Sequence, residues 1–144
     1  MKLTIEHRDL FTVPKDYYLC HCISADFALG AGIAKKFAEL GVREWLIRNY
    51  QRYIYNKGEC LFTHATNWQG EYNLVTKEKC WQKPTLISLR ESLISMKSLW
   101  TDGEKIAMCK IGCGLDKLQW KDVEPIIREV FYDTDTEILI CDWK

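Results

Sequence analysis

The chain has 144 residues, 47% apolar and 28% charged, the composition of one globular domain that buries ~68–70% of its unfolded surface and needs no disulfide or structural metal to hold a core. Twenty Lys and Arg balance twenty Asp and Glu, so the surplus of cations that drives non-specific nucleic-acid binding is missing. No apolar run approaches the ~20 residues that cross a bilayer, and Glu6, Arg8 and Asp9 interrupt any signal-peptide core in MKLTIEHRDL, so a cytoplasmic protein without a membrane partner is expected.

The segments alternate in type along the chain. KLTIE (2–6) alternates apolar and polar residues as a strand does, and YYLCHCI (17–23) is a nearly continuous run of β-friendly residues. IAKKFAEL (33–40) changes to helical spacing, with Ile33, Phe37 and Leu40 on one face and Gly41 placed to end it. GVREWLIRNYQRYIYNKG (41–58) reads as a second helix running into a turn. ECLFTHAT (59–66) and EYNLVTK (71–77) read as two strands joined by Asn67-Trp68-Gln69-Gly70. After Pro84, Leu86, Leu89, Leu93, Met96 and Trp100 recur at steps of three and four, the stripe of a long helix that Asp102-Gly103 stops. KIAMCKI (105–111) is a buried-strand candidate. Val123, Ile126, Ile127, Val130 and Phe131 mark a helix starting near Asp122, with Pro125 in its first turn or just beyond, where a missing N–H costs least. EILICDW (137–143) supplies a last apolar strand.

Strands alternating with amphipathic helices predict an α/β fold, with helices on both faces of a largely parallel sheet. No linker, repeat or low-complexity tract divides 1–144, so a single domain is expected. Seven cysteines, an odd number, suit a reducing compartment. Zinc is the competing reading, but Cys20-His21-Cys22 puts two thiols on one face of an extended segment, and Cys109 to Cys113 has no second matching pair. No metal site is expected, and most of the cysteines read as small buried apolar fillers. His7, His21 and His64 are too scattered to assign.

In parallel sheets ligands bind on the loops beyond the carboxyl ends of strands. Two loops there carry GxG: Ser24 to Gly32, which leads into the helix near Ile33, and Ile111 to Asp116, which follows a strand directly. Glycines at such exits let backbone N–H groups close on an anion, and two such loops could hold the two phosphates of a diphosphate. A lone GxG reads first as a tight turn, two at equivalent strand exits read equally as turns or as an anion site, and neither is a P-loop or a full GxGxxG. Lys77 ends the strand EYNLVTK and Asp116 ends the second loop. Singly each would be a solvated surface charge, but both fall where a cleft is expected.

HCISADFALGAGIAKKF (21–37), LVTKEKCWQKPT (74–85) and KIGCGLDKLQW (110–120), in this order, resemble a macro domain of the branch that contains the terminal ADP-ribose protein glycohydrolase. The likeness runs from about Leu3 to Trp143. It implies a three-layer α/β/α domain with a mixed, largely parallel central sheet, binding ADP-ribose in a cleft above the sheet without a cofactor. By position it makes Asp9 the acidic residue that reads the adenine amino group, with Leu10 following it in the pocket. Ser24, Gly30, Gly32, Ile33 and Ala34 fall around the distal ribose and diphosphate, and Lys110, Ile111, Gly112, Cys113, Gly114 and Leu115 on the second phosphate loop. Lys77 and Asp116 match the catalytic pair. Trp143 falls where the last strand borders the adenine, to stack on the base or to cover the sheet end. The chain departs from the pattern at Arg8-Asp9, where the family's first loop usually reads Gly-Asp, and at the less polar Phe27-Ala28-Leu29.

The activity so implied removes ADP-ribose from carboxylate esters, on glutamate or aspartate side chains or in O-acetyl-ADP-ribose. Lysine attacks the anomeric carbon and aspartate moves protons. A free lysine amine is almost wholly protonated at neutral pH, so a relay is expected in which Asp116 takes the proton as substrate closes the site. The partners are then ADP-ribose and ADP-ribosylated protein, with the chain a monomer. Three alternatives stay open: a reader that binds ADP-ribose and cuts nothing, a hydrolase of ADP-ribosylated nucleic-acid bases (not favoured at zero net charge), and a hydrolase of ADP-ribose 1″-phosphate.

Overall fold

The computed structural model describes residues 1–143. Among them, strands β1 (Lys2–Glu6), β2 (Tyr18–Ser24), β3 (Glu59–Thr63), β4 (Glu71–Lys77), β5 (Lys105–Met108) and β6 (Glu137–Cys141) form one sheet in the order β1-β6-β5-β2-β4-β3. Every neighbouring pair is parallel except β3 with β4, which run antiparallel through the turn at 67–70. Helices α1 (Gly32–Glu39) and α2 (Val42–Asn49) cover one face, and α3 (Leu86–Leu99) and α4 (Trp120–Phe131) the other. The fold is a three-layer α/β/α sandwich on a mixed, largely parallel sheet.

Strand alternation feeds both layers, because successive side chains point to opposite faces. Ala107 and Leu139 pack under α1 and α2 with Leu19, Ile23 and Val75. Ile106, Met108, Ile138 and Ile140 pack under α3 and α4 with Leu89, Leu93, Ile127 and Phe131. Buried polar residues tie the centre of the sheet. The Asn73 amide donates to the Leu61 carbonyl (2.9 Å) and to Thr63 Oγ1 (3.0 Å), leaving its oxygen to accept from His21 Nε2 at 2.5 Å. The His21 ring stacks on Phe37 of α1 at 3.7 Å. One buried imidazole thus docks the helix whose first turn faces the cleft.

Local signals explain the helix ends. Gly41, at φ +103°, ends α1 and opens α2 in a left-handed conformation. Thr85 and Ser88 cap α3 reciprocally, and the Ser88 hydroxyl also donates to the Thr76 carbonyl at 2.8 Å, one residue before Lys77. The helix expected near Asp122 starts earlier, at Trp120, so Pro125 lies in its second turn. The last strand ends at Cys141, before Asp142 and Trp143. Among the described residues no helix is long and apolar enough to cross a membrane.

Candidate active site

β2, β4 and β5 run parallel, so their carboxyl ends open on the same edge of the sheet. A cavity of about 1080 Å³ lies there. Lys77 ends β4, where the pairing with β2 slips by one residue: Ile23 faces Val75 but Ser24 faces Lys77. Such irregularities bend a strand and re-aim a side chain. The Lys77 ammonium meets the Asp116 carboxylate at 2.8 Å, with the two side chains only 15% and 16% exposed.

The first loop is tied down by Asp26. One carboxylate oxygen accepts from the Ser24 hydroxyl (2.5 Å) and the Ala28 N–H (3.1 Å), and the other from the Cys80 N–H (2.9 Å). Burial alone would raise the Asp26 pKa, but these three donors outweigh it and hold the carboxyl below its ordinary value. Phe27 and Leu29 take positive φ values of 55° and 42° in this loop, a strain that side-chain burial over-determines: both are in the core. The less polar residues noted in the sequence thus anchor the loop in the core, and Leu29 also lines the cavity. Among the described residues the N–H groups of Gly32, Ile33 and Ala34 have no protein partner, and Ala31 makes no side-chain cap, so the first turn of α1 is open to an anion.

The second loop closes on itself, the Leu118 N–H donating to the Gly112 carbonyl at 2.7 Å. Gly112 sits at φ +73°, and a Cβ there would meet Leu118 Cδ1 at 2.8 Å. The N–H groups of Gly114, Leu115 and Asp116 are also free of protein partners among the described residues. Leu115 reaches across to the first loop, where its Cδ1 would lie 3.0 Å from a Cβ on Gly32. The two glycine loops therefore face each other across the cavity as paired sets of donors.

At the other end, Asp9 accepts the Phe11 N–H at 3.0 Å and caps the short 3-10 turn Leu10–Thr12. Arg8 is spent on its own side of the chain, donating to Glu6, to Thr12 Oγ1 and to the Thr12 carbonyl. The Asp142 N–H pairs with the Glu6 carbonyl at 2.8 Å, which carries Trp143 beside His7, ring centres 5.1 Å apart. Trp143 is 56% exposed and lines the cavity with Asp9 and Leu10. Leu10 does double duty, being also part of the core.

Every residue singled out from the sequence lines this one cavity: Asp9, Leu10, Ser24, Gly30, Gly32, Ile33, Ala34, Lys77, Lys110, Ile111, Gly112, Cys113, Gly114, Leu115, Asp116 and Trp143. The cavity also takes in Cys80, Trp81 and Lys83 from the turn after Lys77, which sequence reasoning passed over because nothing in their local pattern marks a cleft. Five of the seven cysteines line it as well: Cys22, Cys80, Cys109, Cys113 and Cys141. Burial raises the Cys22 and Cys113 thiols, pushes Cys109 up to about 12 and Cys141 up to about 11. These four stay protonated at neutral pH and are poor nucleophiles.

No protein-family model matches the chain. ADP-ribose glycohydrolase OARD1 of Bos taurus is 42% identical over 145 residues, covering 96% of this chain and 90% of the relative. The Homo sapiens protein of the same name is 41% identical with the same coverage. Among solved structures, the macrodomain of Thermus aquaticus DarG superposes with a TM-score of 0.83 over 97% of both chains at 17% identity, a likeness of fold. Similarity of this extent to both curated glycohydrolases, on a macrodomain fold, shows that the chain belongs to the macrodomain family of OARD1-type ADP-ribose glycohydrolases.

Proposed function

We propose that this protein is a hydrolase that removes ADP-ribose from carboxylate esters, on glutamate or aspartate side chains of proteins and in O-acetyl-ADP-ribose, with Lys77 as nucleophile and Asp116 as proton carrier. The observation that carries the reading is the Lys77–Asp116 pair, 2.8 Å apart and mostly shielded, in a cavity that also holds two sets of free backbone N–H groups. A cavity of about 1080 Å³ is of the size that takes a nucleotide-like ligand. The diphosphate lies between the first turn of α1 and the Gly112–Leu115 loop, where donors need no rearrangement to meet it. Asp9 and Leu10 take the adenine, with Trp143 against its face.

That placement brings the anomeric carbon of the distal ribose to Lys77. Asp116 accepts a proton from the ammonium as the cleft fills, freeing the Nζ lone pair. Nζ attacks the anomeric carbon, and the bond from that carbon to the ester oxygen breaks, its electron pair leaving with the acceptor carboxylate. Water then adds its oxygen to the same carbon and its proton to the departing amine as the carbon–nitrogen bond breaks. Asp116 gives its proton to the released carboxylate, and the Lys77–Asp116 ion pair is restored. The net reaction is ester plus water to ADP-ribose plus acid.

The test is a time course of ADP-ribose release from a glutamate-ADP-ribosylated protein by wild type, Lys77→Ala and Asp116→Ala. Each variant is expected to lose roughly 10²–10⁴ in rate while calorimetry still shows ADP-ribose bound. Unchanged rates with lowered melting temperatures would make the pair a structural salt bridge. Binding without release by wild type would leave a reader.

A further inference from the structure

We propose that the turn Lys79–Lys83, with the Trp81 indole at its tip, is the acceptor-side subsite, and that it holds the polypeptide whose carboxylate carries the ADP-ribose. The assignment rests on the hydrolase reading above and concerns the half of the substrate that leaves.

Trp81 lines the same cavity as Lys77 and Asp116, yet it is 72% exposed and belongs to neither core cluster. An indole that contributes nothing to the core leaves a large apolar surface in water at the mouth of a cleft. The turn beneath it is fixed from three sides. The Cys80 N–H is held by Asp26, the ammonium of Lys83 donates to the Leu115 carbonyl at 2.9 Å, and the Gln82 side chain accepts the Lys79 N–H at 2.9 Å. Asp26 belongs to the first glycine loop and Leu115 to the second, so the indole is referenced to both loops that frame the cleft. The backbone that carries the indole is thus ordered before a substrate arrives, which lowers the ordering cost of binding there.

The surroundings indicate what it meets. A second, smaller cavity of about 210 Å³ is lined by Lys79 of the same turn and its neighbour Glu78, with Tyr53, Tyr55 and Asn56. The proposed polypeptide path leads from Lys77 past Trp81 to this surface. Lys79 and Lys83 suit acidic residues flanking a modified glutamate, and the Asn56 amide with the Glu78 carboxylate suits backbone amides. A carboxylate that accepts from backbone N–H groups favours polypeptide over nucleic acid, because a phosphodiester backbone has no such donor.

The experiment compares two substrates that differ only in the acceptor: a peptide ADP-ribosylated on glutamate with acidic flanks, and O-acetyl-ADP-ribose. In Trp81→Ala the ratio of kcat/KM on the peptide to that on O-acetyl-ADP-ribose is expected to fall roughly tenfold, mainly through KM, with Trp81→Phe recovering most of it and melting temperatures unchanged. An unchanged ratio in a wild-type-active protein overturns the assignment alone. A wild type that cleaves neither substrate overturns the hydrolase reading and the assignment with it. A loss seen on an ADP-ribosylated single-stranded oligonucleotide but not on the peptide overturns the polypeptide acceptor.

Discussion

Lys77 and Asp116 stand 39 residues apart in sequence and 2.8 Å apart in space. With both side chains about 15% exposed, their attraction is screened less than that of a surface pair. Removing one partner leaves a partly buried charge, so Lys77→Ala and Asp116→Ala both carry a stability cost alongside their rate loss. Rates must therefore be compared at temperatures where both variants are folded. A second residue-scale prediction concerns His21. Burial lowers its pKa to about 4, against 6.5 for a free imidazole, with the Asn73 hydrogen bond opposing the shift only in part. The unfolded chain binds a proton between pH 6.5 and 4 that the folded chain excludes, so stability is full above pH ~6.5 and falls as pH drops toward 4. The loss amounts to about 3 kcal/mol. Denaturation measured across this range should show that slope in wild type and lose it in His21→Gln; a flat wild-type profile would contradict a neutral buried His21.

Elements meet at the cleft through loops, and two single residues test how. Asp26 joins the first glycine loop to the turn after β4, so Asp26→Ala leaves the Ala28 and Cys80 N–H groups without acceptors. The expected cost is roughly 1–3 kcal/mol of stability, together with weaker ADP-ribose binding by calorimetry. Undiminished affinity would mean the loop holds its shape without the tie. Gly112 is the second. At φ +73°, with Leu118 Cδ1 2.8 Å from the position of a Cβ, Gly112→Ala strains the loop by about 1–2 kcal/mol and re-aims the N–H groups proposed to hold the diphosphate. Its signature is lost affinity with folding retained. Much of this level was legible in the residue order: strand-exit glycines, Gly41 and the helical stripe that follows Pro84 each state a local rule, whereas the Thr85 cap was not read from it. The roles of Asp26 and Trp81 were not, because a short turn in sequence gives no sign of a carboxylate 54 residues away.

At the scale of the molecule, alternation of strands and helices gave the layers, but the strand order came from long-range packing. β6 is inserted between β1 and β5, and no local pattern in KLTIE or EILIC names that partner. The cleft exists because that order places the ends of β2, β4 and β5 together under two N–H-rich loops. A ligand that binds only the folded chain stabilises it by about 2.7 kcal/mol at a hundred times Kd. For a chain of this size the melting temperature should rise by roughly 8–10 °C, and equally in Lys77→Ala if, as proposed, backbone groups hold the phosphates. The account turns most directly on whether Lys77 bonds to the substrate. We would quench single-turnover reactions with borohydride, which reduces the open-chain imine in equilibrium with a Lys77 glycosylamine to a stable secondary amine, and read the intact mass and the modified peptide. One added ADP-ribosyl group on Lys77, rising and decaying on the time scale of product release and missing in Lys77→Ala, is the expected result. Full product release with no adduct at any time, or an adduct on another residue, would contradict it.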